Sequence, residues 1–119
     1  MTTLQCLRKS RERIAHKGDW VKDAFAVDAE DCSCESRDSQ AVAWCALGAM
    51  EWTKGDVDQA ACELAQHLAD PPVHGAGDAI DLIASWNDSV MTTHADVLTA
   101  FDAAILRLQY EEARLTSGC

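Results

Sequence analysis

Proline is nearly missing from this chain, since its two prolines are adjacent at Pro71 and Pro72. The six glycines lie mostly between segments of periodic hydrophobicity. Proline and glycine are the residues that most often interrupt helices, so their scarcity inside periodic segments favours helices over most of the chain. We therefore predict an all-α fold.

Long apolar runs are also missing. No run approaches the roughly 18 residues of a membrane span, and the first residues lack the charged-then-apolar layout of a signal peptide. Hydrophobic residues make up 48% and charged residues 25% of the 119 positions, which is typical of a globular protein with one core. We expect a single helical domain over residues 1–119, located in the cytoplasm and without membrane contact.

Basic residues are scarce after residue 22. The first 22 residues hold six bases and two acids, whereas the rest of the chain holds four bases and eighteen acids, for a net charge of −10. Such a field repels nucleic acid from most of the surface and attracts basic partners. Two interpretations stay open: the acidity only keeps the protein in solution, or it mimics nucleic acid and fills a basic groove of another protein.

Hydrophobic periodicity predicts helices at residues 3–17, 38–55, 56–69, 78–87 and 93–114. The second contains residues 41–52, which apart from Glu51 carry no charge and must be covered on all sides. Residues 19–37 fit no period and form an irregular segment anchored by Trp20 and Phe25, with an exposed loop at 29–39. The result is a compact bundle of about five helices around a buried central helix.

Local signals set the ends of these helices. Thr2 or Thr3 is expected to cap the first, and Gly18 to end it. Capping boxes are predicted at residues 56–59 and 93–96, and Asn87 is expected to close the fourth helix in a left-handed conformation. Gly55 and the Pro71–Pro72 pair stop the second and third helices, residues 73–77 form a flexible connection, and residues 117–119 are frayed.

Short motifs follow one another along residues 18–106. They are Gly-Asp-Trp at 18–20, Ala-Val-Ala-Trp-Cys-Ala-Leu-Gly-Ala at 41–49, Ile-Ala-Ser-Trp-Asn-Asp at 83–88, Asp-Val-Leu at 96–98 and Phe-Asp-Ala-Ala at 101–104. In this order they resemble an uncharacterised family of small bacterial, largely actinobacterial, and phage proteins with a Trp-Cys-Ala-Leu-Gly-Ala core helix and a Trp-Asn-Asp turn. The resemblance implies a bacterial or viral cytosol, and it transfers no catalytic residue because the family has no established activity.

Six cysteines would indicate disulfides in a secreted chain, but no export signal is expected here. Cys45 and Cys62 lie on core faces of predicted helices and are interpreted as packing residues. Cys32 and Cys34 are the pair that could chelate a metal, with a histidine drawn from His16, His67, His74 or His94. Because their spacing is shorter than in structural zinc sites, and no second pair exists, we expect an oxidisable loop, with no metal and no cofactor.

Asn87 and Asp88 form the best candidate for a catalytic constellation, with His94 nearby in sequence as a base. The competing interpretation is structural: Trp86 fills the core, Asn87 closes a helix, and Asp88 holds the following turn. The sequence contains no phosphate-binding glycine loop and no recognisable Ser-His-Asp arrangement. We therefore expect no catalytic residue and keep a small enzyme at this turn as an alternative.

The favoured hypothesis is a non-enzymatic acidic interaction protein, encoded by a phage or mobile element, that binds a basic surface of a host protein or complex. A nucleic-acid-handling defence machine, of the CRISPR type for example, would be inhibited if its groove were occupied. The candidate interaction surface consists of Glu30, Asp31, Glu35, Asp38, Asp56, Asp58, Asp78, Asp81 and Asp88.

The first helix carries a candidate basic face, formed by Arg8, Lys9, Arg11 and Arg13. A further alternative is a regulator that contacts nucleic acid through this face, and we expect no nucleic-acid contact elsewhere. The face could instead be solvated or paired with the acids of the same protein. A homodimer, in which this helix meets the acidic body of a second copy, also stays open.

Overall fold

A computed structural model describes residues 1–68 and 75–117. Within these ranges the chain forms five α-helices: α1 (Thr3–Arg13), α2 (Ala46–Trp52), α3 (Val57–Ala65), α4 (Ala76–Asp88) and α5 (His94–Ser117). A 3-10 helix (Lys17–Asp19) and three short strands, β1 (Ala26–Val27), β2 (Ser33–Cys34) and β3 (Ala43–Trp44), lie between α1 and α2. The prediction of a compact, mostly helical bundle of about five helices is confirmed.

The three strands form a small antiparallel sheet with β1 at its centre. Ala26 lies opposite Cys34 on one side and opposite Trp44 on the other. The sheet occupies part of the segment that we predicted to be irregular. Strands of two residues are too short to produce an alternating pattern of apolar and polar residues, so hydrophobic periodicity cannot detect them.

The central helix is shorter than predicted, because α2 begins at Ala46 and not near residue 38. The residues before it pair with β1 as a strand. The free amides at the start of α2 find partners there: the Cys45 sulfur accepts from the Gly48 amide at 3.2 Å, and Asn87 Oδ1 accepts from the Ala46 amide at 3.0 Å. The distant Asn87 therefore helps to fix where the helix starts.

Other helix ends also differ from the predictions. α1 ends at Arg13, not at residue 17, and α2 ends at Trp52, before Lys54 adopts a left-handed φ of 65°. Asn87 lies inside α4, so the left-handed conformation expected there is wrong. α5 runs to Ser117, three residues past its predicted end.

The predicted caps are largely confirmed. Thr2 and Gln5 form a reciprocal capping box at the start of α1, and the Asp56 side chain accepts from the Gln59 amide at the start of α3. Two reciprocal bonds join Thr93 and Asp96 at the start of α5. The Thr93 amide donates to the Asp96 carboxylate at 3.0 Å, and the Asp96 amide donates to the Thr93 hydroxyl at 3.1 Å. The predicted stop at Pro71–Pro72, residues 73–74 of the connection and residues 118–119 of the tail lie outside the described residues.

The core is centred on α2, which contacts α1, α3, α4 and β3, while α1 packs on α5 and α3 packs on α4. All five residues from Ala46 to Met50 are buried. The largest fully buried apolar side chains are Phe101, Leu7, Ile14, Met50, Leu64, Ile83 and Val97. Across the described helices, none combines the length and apolar character that a membrane crossing requires.

Gly48 allows the segment that precedes β1 to cross α2 at close range. A Cβ at this position would lie 1.9 Å from the Phe25 carbonyl oxygen. That oxygen also accepts from the Cys45 amide at 3.1 Å, so it is held in place. Only glycine fits without a backbone shift.

Gly48→Ala is expected to destabilise the fold by about 3 kcal/mol, as overpacking of a core by rigid backbone does. The matched control is Gly77→Ala in the first turn of α4, where an added Cβ meets no atom within 4 Å. The control should leave stability unchanged or raise it by up to about 1 kcal/mol. Urea unfolding followed by tryptophan fluorescence measures both, and equal stability of the two variants would contradict the close approach.

Candidate functional site

Asn87 is a buried polar side chain whose four hydrogen-bonding positions are all used. Its Oδ1 accepts from Trp20 Nε1 at 2.8 Å and from the Ala46 amide at 3.0 Å. Its Nδ2 donates to the Val21 carbonyl and to Asp88 Oδ1, both at 3.1 Å. An asparagine amide offers two donors and two acceptor positions, so this residue is fully satisfied by the protein.

Asp88 extends this network to the loop before β1. Its Oδ1 accepts from the Asp23 amide at 2.8 Å as well as from Asn87. Asp23 has a φ of 65°, a conformation that aspartate tolerates better than most residues. The end of α4 therefore sets the backbone path of this loop at Asp23.

His94 contacts the same region through Trp20 but is occupied by a different bond. Its Nε2 lies 2.7 Å from the Ile14 carbonyl, which can only accept, so Nε2 carries the proton of this bond. The His94 ring also packs against the Trp20 indole at a centroid distance of 5.9 Å. These contacts join the residue that follows α1, and Trp20, to the start of α5.

A pocket of about 200 Å³ opens beside the Asn87 network. Its lining residues come from the loop before β1, from the start of α2 and from α4, and Asp23, Asn87 and Asp88 are the polar ones among them. The lining residues are Asp23, Ala24, Phe25, Cys45, Leu47, Ala84, Asn87 and Asp88.

Phe25 was predicted, together with Trp20, to anchor the irregular segment. The contact comes from its backbone, because its carbonyl packs on Gly48, whereas 49% of the residue is exposed and it lines both the pocket and a second depression. The second depression is lined by Phe25, Cys34, Glu35, Ser36, Arg37 and Glu51. We call the surface formed by Asp23, Phe25, Glu35, Glu51 and Asp88 the Phe25 face.

Cys45 lines the pocket but is poorly suited to act as a nucleophile. Burial raises the pKa of its thiol to about 11, an effect that hydrogen bonds from the Gly48 and Leu47 amides oppose only in part. The thiolate is the reactive form, so very little reactive sulfur is present near neutral pH. Its visible role is to cap α2.

The nine acidic residues of the predicted surface lie on several elements. Glu30, Asp31, Glu35 and Asp38 flank β2, Asp56 and Asp58 lie at the start of α3, and Asp78 and Asp81 lie in α4. These eight are exposed, whereas Asp88 is half-buried. Of the nine, Glu35 and Asp88 belong to the Phe25 face.

The predicted basic face divides into two parts. Arg8 and Lys9 are exposed. Arg11 forms a two-pronged ion pair with Asp102 at 2.8 and 3.2 Å, which joins α1 to α5. Arg13 lies against two indoles, with Cζ 4.2 Å from the Trp44 ring centroid and 5.2 Å from that of Trp52. α1 therefore packs on its own domain.

The described residues contain no group of three or more side chains that could hold a metal ion. Cys32 is exposed and Cys34 half-buried. Desolvation, followed by the nearby Asp38 and Asp28 carboxylates, raises the pKa of the Cys34 thiol. His74, one of the histidines considered as a ligand, lies outside the described residues.

Comparison with known proteins assigns the sequence to a family. The sequence model described as "Family of unknown function (DUF6197)" matches residues 1–107. The chain belongs to this DUF6197 family. No curated protein and no solved structure matches it. The match ends within α5 and includes every residue of the Asn87 network and of the Phe25 face.

Sequence reasoning singled out Asn87 and Asp88 but missed three residues of the Phe25 face in this DUF6197 protein. Asp23 and Glu51 were not assigned to the candidate surface, and Phe25 was predicted only to anchor the irregular segment. The sequence does carry one signal for Phe25, since Ala24 and Ala26 on either side are small and leave a single large ring to one face of an extended segment.

Asn87→Asp tests the structural role of the network. The variant keeps an acceptor for Trp20 and Ala46 but places a carboxylate oxygen against the Val21 carbonyl and the Asp88 carboxylate. We expect a loss of about 3 kcal/mol in the free energy of unfolding near neutral pH.

The control for this variant is Ser85→Ala, at an exposed position of the same helix, which should stay within about 0.5 kcal/mol of the native protein. Denaturant melts of both variants supply the values. A stable Asn87→Asp variant would show that the network does not hold the three segments together.

Thiol labelling tests the environment of Cys45. In the folded protein, iodoacetamide at mildly alkaline pH should modify the exposed Cys32 at least about a hundredfold faster than Cys45, because Cys45 is buried and burial raises the pKa of its thiol to about 11. Peptide mapping by mass spectrometry gives the two rates. In denaturant the rates should converge, and comparable rates in the folded state would contradict the assignment.

Proposed function

We propose that this chain is a non-enzymatic interaction protein that binds a basic surface of another protein. The observation that carries the proposal is the Phe25 face. It presents a half-exposed aromatic ring between two depressions, with Asp23 and Asp88 on one side and Glu35 and Glu51 on the other.

At protein interfaces, much of the binding energy comes from a few residues, aromatic ones among them, that lie within a polar rim. The Phe25 face has such an arrangement. The ring supplies apolar contact area and a negative face for a cation. The carboxylates around it supply acceptors for guanidinium or ammonium groups. A lysine or arginine of a partner satisfies both requirements, because its stem is apolar and its end is charged.

The size of the pocket beside Phe25 supports the same occupant. At about 200 Å³ it is smaller than the roughly 300–1,000 Å³ of typical small-molecule sites, and it matches a single side chain. The ion pairs found in the described residues involve Arg11, Arg107 and their partners, so Asp23 and Asp88 are not neutralised by a salt bridge there. The net charge of −10 would speed the approach of a basic partner.

The finer form of the proposal concerns origin and target. The resemblance to bacterial and phage proteins leads us to place the chain in the cytoplasm of a bacterial host, encoded by a phage or mobile element. The partner would be a complex that handles nucleic acid, such as a defence complex, whose basic groove the acidic surface enters and blocks. Under this proposal the protein is a candidate anti-CRISPR inhibitor.

The enzyme alternative receives less support from the geometry. Asn87 has no hydrogen-bonding position left for a substrate, His94 Nε2 is committed to the Ile14 carbonyl, and the raised pKa of Cys45 disfavours a nucleophile. A homodimer through α1 is less supported as well, because Arg11 already pairs with Asp102 of the same chain.

Asp23→Asn and Asp31→Asn form a matched pair for the binding test. Both aspartates are exposed and have a φ near +65° (65° and 63°), and asparagine tolerates that conformation, so each change removes one charge at little structural cost. Affinity capture from bacterial lysate at moderate and high salt would identify a basic, stoichiometric partner. Binding of the purified pair should weaken about tenfold in Asp23→Asn, and no more than about twofold in Asp31→Asn.

A second matched pair separates the ring from the charge. Phe25→Ala should abolish most of the binding, whereas Tyr110→Ala, at a 70% exposed aromatic position on α5, should leave it unchanged. Equal effects of the two aspartate changes, together with no effect of Phe25→Ala, would show that the Phe25 face is not the binding surface. If the partner processes nucleic acid, its activity should fall in proportion to the bound fraction.

A further inference from the structure

Arg13 has no anionic partner among the described residues, although the chain carries twenty acids. Its Nε is buried and meets no acceptor among the described residues. Its guanidinium lies against the rings of Trp44 and Trp52. A guanidinium offers five N–H donors, and no hydrogen bond from Arg13 is found among the described residues. Because Nε alone is buried, the terminal Nη groups are the donors that an acceptor from outside the chain can reach.

Arg13 lines a cleft of about 450 Å³ on the side of α1 that faces Trp52. We call it the Arg13 cleft, and its lining residues are Lys9, Glu12, Arg13, His16, Asp19 and Trp52. Lys9 and Arg13 are four residues apart in α1 and therefore project from the same helix face. The volume lies within the range of small-molecule sites, unlike the smaller pocket beside Asn87.

Trp52 gives the cleft an aromatic surface. It is the last residue of α2, 36% exposed, and its ring packs at 57° to that of Trp44 with centroids 6.2 Å apart. The Trp44 ring is itself fixed, because its Nε1 donates to the Ser36 carbonyl at 2.7 Å. A partly exposed indole held in this way can stack on a flat ring, and nucleobases stack on aromatic side chains irrespective of their identity.

The charges of the cleft limit the ligand further. Lys9 and Arg13 are balanced by Glu12 and Asp19, so the cleft lacks the surplus of positive charge that binding of a polyanion requires. A single phosphate can reach the cations, since guanidinium groups bind phosphate through paired hydrogen bonds. The carboxylates are suited to accept from sugar hydroxyls, as acidic residues do in many nucleotide sites.

We infer that the Arg13 cleft binds a nucleoside monophosphate, with the phosphate on Arg13 and Lys9 and the base against Trp52. This inference is independent of the Phe25 face, because the two sites share no lining residue. It differs from the alternative, raised by the sequence, that the basic face of the first helix contacts nucleic acid. The ligand is a mononucleotide, and Arg8 and Arg11 do not contribute to the site.

The experiment is titration of the purified full chain with each of the four common ribonucleoside monophosphates, by calorimetry and by quenching of tryptophan fluorescence. Inorganic phosphate, a nucleoside without phosphate and a single-stranded oligonucleotide are titrated in parallel. A nucleoside monophosphate should bind saturably below millimolar concentration and at least about tenfold more tightly than phosphate or nucleoside, because only it engages both the cations and the ring.

Variants locate the binding in the cleft. Lys9→Gln changes an exposed rim residue that cannot unfold the core, and Arg13→Lys keeps the charge while removing the planar fork. Each should weaken binding of the monophosphate at least about fivefold, whereas Arg8→Gln, exposed on α1 and outside the cleft lining, should leave it unchanged.

Three outcomes would overturn the inference. The first is no saturable binding of any of the four monophosphates at millimolar concentration. The second is binding that Lys9→Gln and Arg13→Lys leave unchanged, which would place the ligand elsewhere. The third is an oligonucleotide that binds more tightly than every monophosphate, with a steep salt dependence and the same loss in Lys9→Gln, which would assign the cleft to nucleic acid.

Discussion

The Asn87 side chain is the interaction on which the arrangement of this protein depends. It lies in the last turn of α4 and bonds simultaneously to the segment that follows α1 and to the first amide of α2. In the interior each of these polar groups would be costly if left unpaired, whereas together they satisfy one another. The bonds hold the loop before β1 over α2, and the Gly48 contact sets how close it comes. Both the pocket and the exposure of Phe25 result from that crossing.

The parts of the fold that are predicted correctly are specified by residues close together in the sequence, whereas the parts that are not are specified by residues far apart in it. The starts of α1, α3 and α5 depend on pairs three residues apart, such as Thr2 with Gln5 and Thr93 with Asp96, so a short stretch of sequence contains the whole signal. The start of α2 depends on Asn87, which is 41 residues away, and on strand pairing with β1. A prediction based only on the local pattern of apolar residues therefore includes the residues of β3 in this helix.

The candidate sites show the same limit for side chains. Asn87 and Asp88 are singled out because two polar residues directly follow a tryptophan at the predicted end of a helix. Phe25 is not, because burial of an aromatic ring is the usual outcome, and here the backbone carbonyl makes the close contact with α2. The sequence analysis assigns Arg13 to the basic face of the first helix and does not distinguish it from the other cations there. Its position between Trp44 and Trp52 arises where α1 meets β3 and α2, and no spacing in the sequence encodes that meeting.

The pairing of α1 with α5 has a consequence for synthesis of the protein. α1 is synthesised before α5, yet Arg11 meets Asp102 across 91 positions, and the carbonyl of Ile14 meets His94 across 80. Until α5 emerges, the apolar side of α1 that it covers has no permanent neighbour there. α1 can therefore complete its packing only after α5 has been synthesised. Products released before α5 would expose that side of α1, which is the kind of apolar surface that chaperones and proteases recognise.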